Sequence, residues 1–193
     1  FSSVAAEESF LKSLSPGLNE IQIEHGGYSR RLLVTAPKSF QSSSRYATLF
    51  CFHGAGGKAT GQSLRWARYA DSQRLLVVSC EAIQPMAKWN FKDQFHNVDH
   101  DDVGFVTRVI ESLVAAEITD PQMIYATGHS SGGLFCYRLA KQTDLFAALA
   151  PMSCGMAKGD HAPEEETRRV SIMQVIGDQD TSFYGSSNEK VTM

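Results

Sequence analysis

The chain has 193 residues, 42% of them hydrophobic, and 18 Lys and Arg against 21 Asp and Glu give a net charge of −3. That length supports one domain with a sizeable core, and the slightly acidic balance gives no electrostatic case for nucleic acid as a partner. No run of about 18 apolar residues occurs, so no helical membrane span is expected. Cys51, Cys80, Cys136 and Cys154 allow three disulfide pairings and demand none. The first three sit in apolar runs, which favours buried free thiols. No C-x-x-C or H-E-x-x-H spacing appears, so no metal or cofactor is expected. The first residue is Phe1 rather than methionine, as expected of a processed or trimmed product whose secretory signal would already be gone.

In chain order, residues 1–18 read as a leader or short helix. From Asn19 the pattern alternates, with Ile21 and Ile23 on one side and Gln22 and Glu24 on the other. Gly26-Gly27 supplies a turn, and Arg31 to Ala36 continues as a second strand that Pro37 stops, which is a hairpin signal. Ala47 to Phe52 is a continuous apolar run, expected of a strand buried on both faces. It ends in His53-Gly54-Ala55-Gly56-Gly57. Leu64 to Asp71 has helical spacing, with Leu64, Ala67, Tyr69 and Ala70 as its apolar side. Leu75 to Cys80 is another buried run, completing a parallel crossover.

Glu81 to His100 is a long aromatic-rich connection, of a length that is usually functional. Asp101 and Asp102 precede an amphipathic helix whose core side is Val103, Val106, Val109, Ile110, Leu113 and Val114. Both acids read first as N-terminal caps, where negative charge is favoured, and second as active-site groups. Met123 to Thr127 is a strand, a helix follows to Thr143, and Phe146 to Pro151 and Val170 to Ile176 are further strands. The charged stretch Ala162 to Arg169 is a surface loop or short helix. Strands alternating with helices predict a single α/β domain over 1–193, a mostly parallel sheet with helices on both faces, entered by an antiparallel hairpin.

The chemistry concentrates at Gly128-His129-Ser130-Ser131-Gly132. A strand, a glycine-flanked turn and an immediate helix fit the G-x-S-x-G nucleophile elbow, which lifts one serine hydroxyl above the sheet. A serine needs a base to take its proton, and acyl transfer needs donors aimed at the developing oxyanion. One donor would be the Ser131 N–H. The other would come from the glycine loop, through Ala55 or else Gly56. His53 reads as a prop for that loop, with a place beside the substrate as a second role. His129, inside the elbow, should point away from the Ser130 hydroxyl. Asp178 and Asp180 follow a later strand, where the acid of this arrangement belongs. All six histidines (His25, His53, His96, His100, His129 and His161) precede them, so the expected C-terminal base is not present in this chain. His161 is the one substitute.

Four segments resemble the esterase family that includes polyhydroxybutyrate depolymerases and feruloyl esterases. They are Leu49 to Gly57, Asp101-Asp102-Val103-Gly104-Phe105, Tyr125 to Ala140, and Gly177 to Gly185. The resemblance implies an α/β-hydrolase fold, Ser130 as nucleophile, Ala55 and Ser131 as oxyanion donors and no cofactor. Aligning Gly177 with the family's glycine places the acid at Asp180. The chain differs in having Ile176 where a histidine usually precedes that glycine. Its spacing from Asp180 to Tyr184 is one residue shorter, and the histidine segment and last strand are missing, as if truncated. Small esters, aryl esters or polyesters are the implied substrates, with His53, Trp89 and Phe91 as candidate pocket walls and an extracellular location. A peptidase of the same fold, and a non-catalytic binding fold lacking its base, are the other readings.

Overall fold

The protein is described by a computed structural model at residues 14–84, 87–92, 100–157 and 161–180. Residues 1–13, Phe95, His96 and the 181–185 part of the last resembling segment lie outside these. Strand β1 (Gly17–His25) begins inside the stretch assigned to a leader. It pairs antiparallel with β2 (Tyr28–Ala36), His25 opposite Tyr28. Gly26 and Gly27 turn the chain with φ of 59° and 80°, the left-handed pair that a two-residue hairpin of native twist requires. Ile21 and Ile23 face the core, as the alternation requires.

The remaining strands are β3 (Tyr46–Phe52), β4 (Leu75–Cys80), β5 (Thr119–His129), β6 (Ala148–Met152) and β7 (Ser171–Ile172). The sheet order is β1-β2-β4-β3-β5-β6-β7, and every pairing from β4 to β7 is parallel. Three helices connect them: α1 (Ala59–Gln73), α2 (Asp102–Ala115) and α3 (Ser131–Gln142). Period-2 alternation splits the central strands between two cores. Phe50, Phe52, Leu76 and Val78 join Phe105, Val106, Val109, Phe135 and Leu139 on the face of α2 and α3. Leu49, Cys51, Leu75 and Val77 meet Trp66 and Ala70 of α1 on the other. Helices therefore cover both faces, and an α/β-hydrolase architecture results. All four cysteines are buried free thiols.

Two expectations need correction. Helix α1 does not turn Leu64 inward: that side chain is 78% exposed, and Ala59, Gln62 and Ser63 are buried beside the expected Ala70. The reason is a close approach to the sheet, where Ser63 Oγ hydrogen-bonds Thr35 Oγ1 at 3.2 Å; small and polar groups fit there and a leucine does not. Strand β7 spans two residues rather than Val170 to Ile176. Backbone bonds continue beyond it irregularly, from Met173 N to Leu149 O and from Val175 N to Pro151 O. Ile172, Met173 and Val175 stay exposed. The stretch 162–169 contains no helix.

Candidate active site

Parallel strands bring their C-terminal ends to one side of a sheet, where ligands of open α/β sheets bind. Here β3 delivers the His53–Gly57 loop, β4 delivers Glu81 and Ala82, β5 delivers Ser130, and β7 leads to the turn with Asp178 and Asp180. The sequence-derived candidates thus converge on one sheet end.

Ser130 has φ 52° and ψ −117°, a conformation costly for any residue with a side chain. Its surroundings over-determine it. A Cβ on Gly128 would lie 2.2 Å from Gly132 O, and one on Gly133 would lie 2.4 Å from Cys154 Sγ. Ser130 N–H donates to Met152 O at 3.0 Å, and Ser130 O accepts from Leu134 N–H at 2.9 Å. The strand-to-helix turn is locked from both sides.

The glycine loop touches the elbow directly. A methyl carbon on Gly54 would stand 3.1 Å from His129 Nδ1 and 3.5 Å from Ser130 Cβ. Gly56 N–H is spent on Ala87 O at 3.0 Å, and Gly57 N–H on Gly54 O at 2.9 Å. Among the described residues the amides of Ala55 and Ser131 have no acceptor. Of the two loop amides open from sequence, Gly56 is therefore occupied and Ala55 is free to donate.

His53 is 2% exposed and holds the loop with both ring nitrogens. Nδ1 lies 2.8 Å from Gly54 O and must carry the proton, because Nε2 accepts from Ala82 N–H at 3.0 Å. Burial pushes its pKa below the ordinary value, against the opposing pull of the Gly54 carbonyl. The Trp89 ring stacks on Phe135 (5.0 Å, 11°), and its Nε1–H donates to His53 O at 2.9 Å. Trp89 is 1% exposed and Phe91 is also buried. This corrects the pocket-wall expectation: His53 and Trp89 pack beneath the glycine loop and present no surface to a substrate, because their polar atoms are committed to it. Phe91 is likewise interior, its carbonyl 2.7 Å from His161 Nε2.

His161, the substitute base, accepts from Ala157 N–H on Nδ1 at 3.0 Å and stacks on Tyr137. Both of its nitrogens serve structure. Asp180 is half-buried, in a turn closed by its N–H to Gly177 O at 3.1 Å.

Asp101 does cap α2, accepting from Gly104 N–H at 2.8 Å. Asp102 does something else: it is buried and binds Arg30 at 2.7 Å and Asn90 N–H at 2.7 Å. His100 Nε2 stands 3.4 Å away, without the alignment of a hydrogen bond. Burial alone would raise the Asp102 pKa, but His100, Arg30 and the Asn90 amide outweigh it and hold the carboxyl below its ordinary value. Among the described residues no cluster of His, Cys, Asp and Glu could hold a metal ion.

This geometry has counterparts. The structure matches a poly(3-hydroxybutyrate) depolymerase from Bordetella parapertussis with a TM-score of 0.61 and 22% identity, over 78% of this chain and 55% of that one. The chain has the α/β-hydrolase fold. An acetyl xylan esterase from Aspergillus awamori matches at TM-score 0.59 and 15% identity, over 74% of this chain and 56% of that one. In sequence, a bifunctional acetylxylan esterase/xylanase from Neocallimastix patriciarum is 26% identical over 84% of this chain and 23% of its own length. No family model matches. The chain spans about a quarter of the curated relatives it matches and about half of these solved structures. The α/β-hydrolase fold that the sequence resemblance implies is thus met in known structures.

Proposed function

We propose that the chain carries the nucleophile, oxyanion hole and acid of a serine carboxylic-ester hydrolase working through an acyl-enzyme. The observation carrying this reading is the abutment of the glycine loop on a strained serine, with 3.5 Å between a Gly54 methyl position and Ser130 Cβ. Ser130 Oγ attacks the ester carbonyl, its proton passing to the base that Asp180 orients and from there to the leaving alcohol, while the Ala55 and Ser131 amides receive the oxyanion. Collapse of the tetrahedral adduct expels the alcohol, and water then releases the acid from Ser130. One donor of this kind is worth about 10²–10³ in kcat. Asp180 is assigned to orient the base. The esterase and depolymerase relatives point to carboxylic esters, and a polymeric ester would put the enzyme outside the cell.

The base is assigned to neither His53 nor His161, since each has both ring nitrogens engaged, and all six histidines precede Asp180 in the chain. Loss of a triad histidine costs on the order of a million-fold in kcat. This 193-residue chain should therefore hydrolyse p-nitrophenyl acetate barely above background. The same engagement favours a second reading, a fold that binds esters without turnover.

A small fluorophosphonate, with imidazole as a diffusible base, distinguishes them. The expected result is one phosphonyl group on the peptide containing Ser130, absent in Ser130→Ala. A folded protein that stays unlabelled at Ser130 after prolonged incubation overturns the esterase reading in favour of the second.

A further inference from the structure

Residues among 81–84 and 87–92 lie against the glycine loop and grip it at several points. Ala82 N–H donates to His53 Nε2, Trp89 Nε1–H donates to His53 O, and Ala87 O accepts from Gly56 N–H. Just past the loop, Glu81 Oε2 accepts the Ala59 N–H at 2.9 Å, fixing the start of α1. The loop therefore takes its shape from a neighbouring segment as well as from its own two bonds to Gly54 O.

That segment needs an anchor, and the buried one is charged. Asp102 uses both carboxylate oxygens: Oδ1 accepts from Arg30 and Oδ2 from the Asn90 N–H, each at 2.7 Å. Arg30 in turn lies 4.1 Å over the Phe105 ring and reaches Glu81 O at 3.4 Å. The carbonyl of the same Asn90 is held by Arg138 of the elbow helix at 2.9 Å. The residue next to Trp89 is thus clasped through its N–H by α2 and through its carbonyl by α3. A charged acceptor makes a bond roughly twice as strong as a neutral one. Removing the charge would leave Arg30 buried and unpaired, which costs far more than the bond itself.

We propose that Asp102, held by Arg30, is a positioning residue that sets the oxyanion loop through Asn90, Trp89 and His53. It touches no substrate. The inference rests on the esterase reading for the meaning of that loop, but the mechanical coupling can be tested without it.

The experiment compares wild type with Asp102→Asn, which keeps the side-chain shape and loses the charge. Trp89→Phe is the milder variant: it keeps an aromatic ring against Phe135, deletes the donor to His53 O and leaves a smaller ring in the buried site. Ile21→Val, a core truncation on β1, controls for general loss of stability. Two readouts are used: amide hydrogen exchange by mass spectrometry, and fluorophosphonate labelling of Ser130 with imidazole present, resolved into a saturating rate and a half-saturating concentration. In Asp102→Asn exchange should rise over 53–57 and 81–92 while β3, β5 and α3 stay protected. The saturating labelling rate should fall about 10–100-fold, in the range of a weakened oxyanion donor, with the half-saturating concentration unchanged. Trp89→Phe should reproduce both effects more weakly, with the exchange increase confined to 53–57. Ile21→Val should produce neither. Unchanged exchange at 53–57 in a folded Asp102→Asn or Trp89→Phe protein overturns the coupling. A loosened loop with an unaltered labelling rate overturns the positioning role. If Ser130 does not react even in wild type, the esterase reading fails, and the exchange comparison still decides the coupling.

Discussion

A methyl carbon attached to Gly132 would lie 2.4 Å from the carbonyl oxygen of Phe52. The helix that follows the candidate nucleophile and the strand that leads into the glycine loop are therefore in backbone contact. Gly132→Ala must push them apart, and neither backbone has room to yield. Overpacking of this kind costs about 1–3 kcal/mol. Melting should fall by roughly 2–4 °C for each kcal/mol lost, and Ser130 labelling should fall with it. An alanine variant with wild-type melting and labelling would show that the contact is slack.

Ser130 sits at φ 52° and ψ −117°, where glycine alone is relaxed. Replacing Ser130 by Gly should abolish labelling and stabilise the fold by about 1 kcal/mol, the low end of the strain such a residue stores. Differential scanning calorimetry checks this. A lower transition temperature would mean that the Ser130 side chain contributes packing greater than the strain.

The neutral His53 tautomer is written into the fold, since Nδ1–H meets Gly54 O and Nε2 meets Ala82 N–H. Its pKa is depressed from an ordinary 6.5 by burial. Between its folded value and 6.5 the unfolded chain binds more protons than the native one, so stability rises with pH across that window. The contribution is complete above the unfolded value and is lost as pH falls through the folded one. Urea midpoints measured from pH 7.5 down to pH 5 should decrease, and the slope should flatten in His53→Gln. An equal slope in both proteins would assign the pH dependence to other groups.

Ile172 of β7, the last strand in the sheet order among the described residues, is exposed, as are Met173 and Val175 just beyond it. An apolar edge invites association. Light scattering should show concentration-dependent oligomers that Met173→Lys with Val175→Lys suppresses. A wild-type monomer at all concentrations would refute this.

The sheet is largely legible in the sequence because burial imposes a pattern on consecutive residues. Ile21 and Ile23 alternate with polar neighbours on a one-sided hairpin, and Phe50 to Phe52 are apolar throughout on a strand covered twice. The elbow is legible for a related reason: its glycines answer steric contacts a few residues away, as between Gly128 and Gly132. Leu64 misleads because helical periodicity names an apolar stripe without knowing how near the sheet will come; where α1 touches β2, Ser63 fits and leucine does not. Asp102 is harder still. Its position invites a capping role that Asp101 alone performs, while its partner Arg30 is 72 residues away in the chain. No local pattern encodes that pair. Trp89 and Phe91 read as pocket walls because aromatic residues near a glycine loop can line a site, whereas His53 takes the propping role read first for it. The interior position of Trp89 follows from a hydrogen bond across 36 residues.

The bond from Gly56 N–H to Ala87 O also bears on the order in which the protein can come together. When the His53–Gly57 turn is synthesised, the Ala87 carbonyl that will orient it lies about 30 residues further along the chain, and the Asn90 peptide that Asp102 will secure lies beyond that. The turn must wait through a helix and a strand before it acquires its shape. A partly opened chain can thus hold its sheet while the glycine-loop end is still unmade, and the reactivity proposed for Ser130 would then become available only late in assembly.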